Sequence, residues 1–159
     1  MNRKSVINLF IKRLKESREV LRENYETHKQ ASVEAPGAMQ SHSDTSKFRF
    51  GQLAEAVFSK LIELDRLIEF LEQLAPPSEN LIEVGSLVQV KQDGKSQYLL
   101  LVPEGAGGQR FEVENSTVQA VSITSPIGQA LVNKTVGAEM ELRLPAGTTK
   151  NIKIDRILN

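Results

Sequence analysis

The sequence predicts an α+β protein with an N-terminal antiparallel helical hairpin, a coiled coil, over residues 1–75. A linker at 76–80 leads to a small, mostly antiparallel β domain with one short helix over 81–159. Three observations carry this reading. Apolar residues recur at steps of three and four through two long segments on either side of a break near Pro36-Gly37. Pro76-Pro77 then divides the composition: one glycine outside the break precedes the pair and eight follow it. Beyond residue 81 the apolar period shortens to two, the spacing of strands.

The first helix is expected over 3–31, a stretch without proline or glycine, with Ile7, Phe10, Leu14, Ser17, Leu21, Asn24, His28 and Ala31 as its seam. Asn24 and His28 weaken the seam toward the break, because a polar group taken from water needs a partner. The second helix is expected over 46–75. Phe50, Ala54, Val57, Leu61, Leu64, Ile68, Leu71 and Ala75 form its seam, and Leu53, Phe58, Leu67 and Leu74 widen the apolar stripe. Asp44, Thr45 or Ser46 can cap its start through a side-chain oxygen. Pro76-Pro77 ends it, since proline has no N–H to donate. Helices of this length reach about 40 to 45 Å at about 1.5 Å per residue, so part of the hairpin is expected to project. The tip, about 32–46, is then the expected working end.

In the second half, residues 86–91 and 96–103 read as strands joined by a turn carrying Asp93-Gly94. Further strands are expected at 111–113, 118–122, 140–144 and 152–157. Ser125-Pro126 opens a short helix over 126–132, with serine as the cap and proline at the first helical position. The loop at 104–108 is glycine-rich, but a strand follows it, so no helix N-terminus is available there to hold a phosphate.

Composition excludes several classes. There is no cysteine, hence no disulfide framework and no thiolate site, which permits a cytoplasmic location. No apolar run is long enough to span a bilayer, and the N-terminal segment lacks the features of a secretory signal, so no membrane role is expected. Twenty basic and twenty acidic residues give zero net charge, which argues against nonspecific coating of nucleic acid through phosphate contacts; direct sequence-specific DNA binding is not expected either. The first thirty residues hold eight Lys or Arg against four Glu, read as a solvated helix face. His28 and His42 are the only histidines, and neither stands near Ser122 or Ser125 in sequence, so a serine hydrolase is not expected.

Ser125-Pro-Ile-Gly-Gln-Ala-Leu131, followed by Lys134-Thr-Val-Gly-Ala-Glu139, resembles the C-terminal domain of the Gre (GreA/GreB) family of bacterial transcript-cleavage and elongation factors. That family carries SPxGxALxGK and a VGD-like turn. Asn133 stands here where glycine is usual, and Ala138 replaces the aspartate. Gly85-Ser-Leu-Val88 matches the family's GSxV, and Pro145-Ala-Gly147 resembles its final turn. The resemblance implies an FKBP-like C-terminal domain that docks at the rim of the secondary channel of bacterial RNA polymerase. It also implies a coiled coil that enters the channel to modulate elongation, pausing or initiation. On this reading the protein is not itself an enzyme and needs no cofactor of its own. Ser125, Pro126, Ile127, Gln129 and Leu131, with Met39, Gln40 and Lys47 near the tip, are the expected partner-binding residues.

Cleavage-active members hold a magnesium ion, shared with the polymerase, through tip carboxylates, because hard cations prefer oxygen ligands and metal-bound water is the better nucleophile. Leu21-Arg-Glu-Asn-Tyr-Glu-Thr-His28 echoes their DLxENAEYH motif, but Val20 stands in place of the aspartate and the segment lies below the tip. The tip is more similar to a divergent branch with an EAPxxMQSxxDT pattern, whose only carboxylates here are Glu34 and Asp44. These two are the candidates for catalytic residues and for a shared Mg2+ site. The competing reading makes Asp44 a helix cap and Glu34 solvated. A third alternative is a self-associating structural protein, at least a weak homo-oligomer, that uses the wide stripe of the second helix.

Overall fold

The computed structural model describes residues 1–35, 46–78, 80–92, 94–143 and 149–158. By contact the chain divides into two units, Met1–Phe10 with Gln73–Asn159, and Ile11–Glu72. Residues 1–75 were expected to form the hairpin together; the first ten group with the sheet instead.

Helix α1 spans Arg3–Glu34 and helix α2 spans Ser46–Glu72. Asn2 caps α1, its Oδ1 accepting from the Lys4 N–H at 2.8 Å and so satisfying one otherwise unpaired helix donor. Helix α2 ends three residues earlier than expected: the chain has left the helix at Gln73, before Pro76, and Ala75 is exposed. Within Ile11–Glu72 the helices are linked along their length. Lys15 pairs with Glu72 at 2.6 Å and Arg18 with Asp65 at 3.4 Å. Tyr25 meets Phe58 with ring centroids 5.4 Å apart, and Ser32 Oγ donates to the Lys47 carbonyl at 3.2 Å. As the α1 number rises the α2 number falls, which is an antiparallel hairpin.

The α2 seam follows the expected spacing: Ala54, Ile68 and Leu71 are buried, and Phe50, Val57, Leu61 and Leu64 are half-buried. The α1 seam requires a correction. Ile7, Phe10 and Leu14 are buried and Leu21, His28 and Ala31 half-buried, as expected, but Ser17 and Asn24 are exposed, and the half-buried positions beside them are Arg18 and Tyr25, in phase with buried Ile11 and half-buried Ser32. Two phases share Ile7, Leu14, Leu21 and His28 and differ by one residue at every other step. The aliphatic stem of Arg18 and the ring of Tyr25 cover more apolar surface than Ser17 and Asn24 can.

The other unit is a six-stranded sheet. Strands β1 (Leu87–Gln92), β2 (Lys95–Val102), β3 (Arg110–Val113), β4 (Ser116–Ser122), β5 (Glu139–Arg143) and β6 (Thr149–Ile157) lie in the order β3-β4-β2-β1-β6-β5. Every neighbouring pair is antiparallel except β2 and β4. Helix α3 (Pro126–Leu131) is the short helix expected from Ser125-Pro126. Gly94, at φ 78°, makes the tight β1–β2 turn. Glu114 and Asn115, both at positive φ, make the β3–β4 turn, a backbone twist that suits a two-residue hairpin.

The sheet is covered on both faces. On one, Val88, Val90, Leu99, Leu101, Val121, Ile152 and Ile154 form a core with Ile82 and with Leu131 of α3. Because successive side chains alternate between faces, Leu87, Leu100, Val102, Val118 and Ala120 point to the other, where they are also buried. Phe10, from the first turns of α1, stacks there on Phe111 at 5.7 Å. The N-terminal amine pairs with Glu114 at 2.9 Å. Arg3 Nε donates to the Gly85 carbonyl at 2.7 Å, and burial lowers the pKa of its guanidinium.

Candidate functional site

The segment that resembles the Gre motif is built around Ser122, the last residue of β4. The Ser122 carbonyl accepts from Ser125 Oγ at 2.7 Å and from the Ser125 N–H at 3.0 Å. Ser125 Oγ in turn accepts from the Gly128 N–H at 3.1 Å, which makes it the N-cap of α3. Ser122 Oγ lies 2.8 Å from Thr124 Oγ1, and the Thr124 carbonyl accepts from Gln129 Nε2 at 3.1 Å. Chain turn and helix start are thereby tied to one strand end.

Two glycines make this closeness feasible. A Cβ on Gly128 would lie 2.0 Å from the Ser122 carbonyl oxygen, and a Cβ on Gly107 would lie 2.7 Å from the Ser122 nitrogen. In sequence Gly128 stands only as part of a motif, and Gly107 as one glycine of a glycine-rich loop. Both are packing requirements of β4. Gly85 is needed for a different reason, its positive φ of 88°; the atoms nearest its would-be Cβ, Leu74 Cδ2 at 2.4 Å and Arg3 Nη2 at 2.9 Å, are side-chain ends. Arg3 was not singled out in sequence, because its partners lie far along the chain.

The expected partner-binding residues are therefore sorted by position. Leu131 is wholly buried in the sheet core and Ile127 packs partly against it. Pro126 and Gln129 are exposed on α3, and Ser125 is half-buried beneath them. Lys47 is exposed in the first turn of α2. Met39, Gln40, His42 and Asp44, like Pro145-Ala-Gly147, lie outside the described residues. Glu34 ends α1, is exposed, and accepts from Gln30 Nε2 at 2.7 Å. Among the described residues no three acidic or histidine side chains converge as a metal site would require. No helix among them is long and apolar enough to cross a membrane.

The DLxENAEYH echo falls on the mid-shaft of α1. There Tyr25 faces Phe58, Lys29 Nζ stands 5.5 Å from the Tyr25 ring centre, and Glu23 is exposed.

The profile described as Transcription elongation factor, GreA/GreB, C-term matches residues 77–159. Among solved structures, the chain is similar to the GreA factor homolog 1 (Gfh1) protein of Thermus thermophilus. That match is 22% identical over 94% of each chain, with a TM-score of 0.40. Thermus aquaticus Gfh1 gives 22% identity over 93% of each chain and a TM-score of 0.41. The prokaryotic transcription elongation factor GreA/GreB from Nitrosomonas europaea gives 19% identity over 70% of this chain and 92% of its own, with a TM-score of 0.39. No curated protein matches the chain.

Proposed function

Because the chain belongs to the GreA/GreB family of transcription elongation factors, we propose that it binds bacterial RNA polymerase at the secondary channel and inserts its hairpin to modulate elongation, pausing or initiation. The observation that carries the reading is the family match over 77–159 on a chain whose other part is a two-helix antiparallel hairpin. In this reading the sheet unit docks through the exposed side of α3, Pro126 and Gln129, while Leu131 and Ile127 hold α3 to the sheet. The hairpin supplies reach: the part of α1 beyond Phe10, residues 11–34, extends about 36 Å at about 1.5 Å per residue.

The protein acts in the cytoplasm by occupying the channel, without catalysis or a cofactor of its own. Any magnesium ion involved belongs to the polymerase. Met39, Gln40 and Lys47 meet the polymerase near its active centre.

A transcription assay on stalled and backtracked elongation complexes tests this. The expected result is a dose-dependent change in pausing or elongation rate, with RNA cleavage no faster than polymerase alone. Stimulated cleavage that is lost in Glu34→Ala or Asp44→Ala would replace occupancy with catalytic assistance. Complexes that respond in neither way would remove the reading altogether.

A further inference from the structure

We propose that one face of the hairpin shaft pairs with the same face of a second copy of this chain; this goes beyond the polymerase reading and stands without it. The face holds a groove of about 320 Å³ between α1 and α2. Its floor is apolar: Tyr25, Phe58, Leu61 and Ile62. Phe58 and Ile62 remain 49% and 38% exposed, which is costly for large apolar side chains in water.

The charges around the groove identify the occupant. Arg18 is committed to Glu19 and Asp65, and hydrogen bonds to both raise its pKa. Arg22 and Glu26, one turn apart on α1, make no hydrogen bond or ion pair among the described residues. A surface that presents one anion and one cation, one helical turn apart and in reversed order, complements them. The same face of a second copy does this. With a two-fold axis running across the hairpin at the level of Asn24, Arg22 lies opposite the other copy's Glu26 and Glu26 opposite its Arg22. The register of the hairpin carries the symmetry to α2. Tyr25 faces Phe58 and Arg18 faces Asp65, so Phe58 and Ile62 straddle about the same level as Arg22 and Glu26. The axis that exchanges the charges also sets Phe58 of one copy over Ile62 of the other. An isologous contact of this extent belongs to the small, weak class of interfaces.

Sedimentation equilibrium of the full chain in the micromolar to sub-millimolar range reads the association. The expected weight-average mass rises from 17.7 kDa toward twice that value with concentration. Arg22→Glu places like charges opposite each other twice, as does Glu26→Arg, and each weakens association by about tenfold or more. An equimolar mixture of the two variants regains it, because every opposed pair is again of opposite sign. Ile62→Asp abolishes it while leaving the helical circular dichroism unchanged. A mass that stays at one chain across the range would overturn the proposal and leave the groove to a different partner. So would charge variants that associate like the parent, or a mixture that fails to recover.

Discussion

In the sheet unit Leu87, Leu101, Val118, Leu131 and Ile154 are wholly buried, whereas between Leu14 and Ile68 of the hairpin Ala54 alone is buried among the described residues. The sheet unit is packed on both faces, and at Gly107 and Gly128 the Ser122 backbone approaches too closely for any Cβ. The hairpin is held by one line of half-buried side chains, by the Tyr25–Phe58 contact and by surface pairs such as Lys15–Glu72. Exposed pairs of that kind contribute little each. A close-packed body transmits any added volume as strain, while a thin seam opens locally. The same kind of substitution should thus give different results in the two regions.

The largest effect is expected at Gly128→Ala. The new methyl would overlap the Ser122 carbonyl, and neither backbone can retreat without breaking the Ser125 cap. A loss of about 3 kcal/mol or more is expected, read as a lowered melting temperature of the sheet unit. Gly137→Ala sharpens the test: this glycine has positive φ (86°), which Gly128 does not, and nothing lies within 4 Å of its would-be Cβ. Strain alone should then cost about 1 to 2 kcal/mol. Equal losses at the two sites would remove the clamp from the account.

Next in size is the contrast between Leu101→Ala and Leu61→Ala. Leu101 is wholly buried and its truncation should cost about 2 to 5 kcal/mol by leaving a cavity. Leu61 is half-buried beside an open groove, so about 1 kcal/mol is expected, seen as faster amide exchange in the hairpin while the sheet amides stay protected. A Leu61 loss as large as that at Leu101 would show that the hairpin is as tightly packed as the sheet.

The smallest effect is that of pH. The Lys153 ammonium donates to Glu139 Oε1 at 2.7 Å across β5 and β6. That bond lowers the Glu139 pKa and raises that of Lys153. Glu139 therefore stabilises the fold above the ordinary glutamate range, and its contribution is lost as pH falls through the lowered folded value. The Lys153 contribution is full below the ordinary lysine range and is lost as pH rises through the raised folded value. Both groups are fully exposed, so Glu139→Gln should only slightly flatten the acid limb of the melting temperature against pH.

The comparison also explains what could be read in advance. Strands, turns and the Ser125-Pro126 cap follow local rules, and the period-two pattern placed β1, β2 and β4 within a residue or two of where they lie. The seam of α2 was legible because one phase held nearly all its aliphatic residues. In α1, Ser17 and Asn24 against Arg18 and Tyr25 offered no such contrast, and only the α2 partners Asp65 and Phe58 decide the phase. Phe10 on Phe111, Arg3 on Gly85 and the parallel β2–β4 pair are contacts between distant parts of the chain that no local pattern encodes. Of the site, the Ser125 cap and exposed Gln129 were readable. That Gly107 and Gly128 clamp Ser122 was not, since glycine in sequence announces freedom and here serves proximity.

The central claim is that this chain is a polymerase-binding factor, and direct binding tests it most simply. The 159-residue chain, labelled on an exposed position of the sheet unit away from α3, is titrated with bacterial core RNA polymerase and followed by fluorescence anisotropy. The account predicts saturable binding that unlabelled protein displaces and that Gln129→Glu weakens without lowering the melting temperature. A flat titration with folded protein would contradict it.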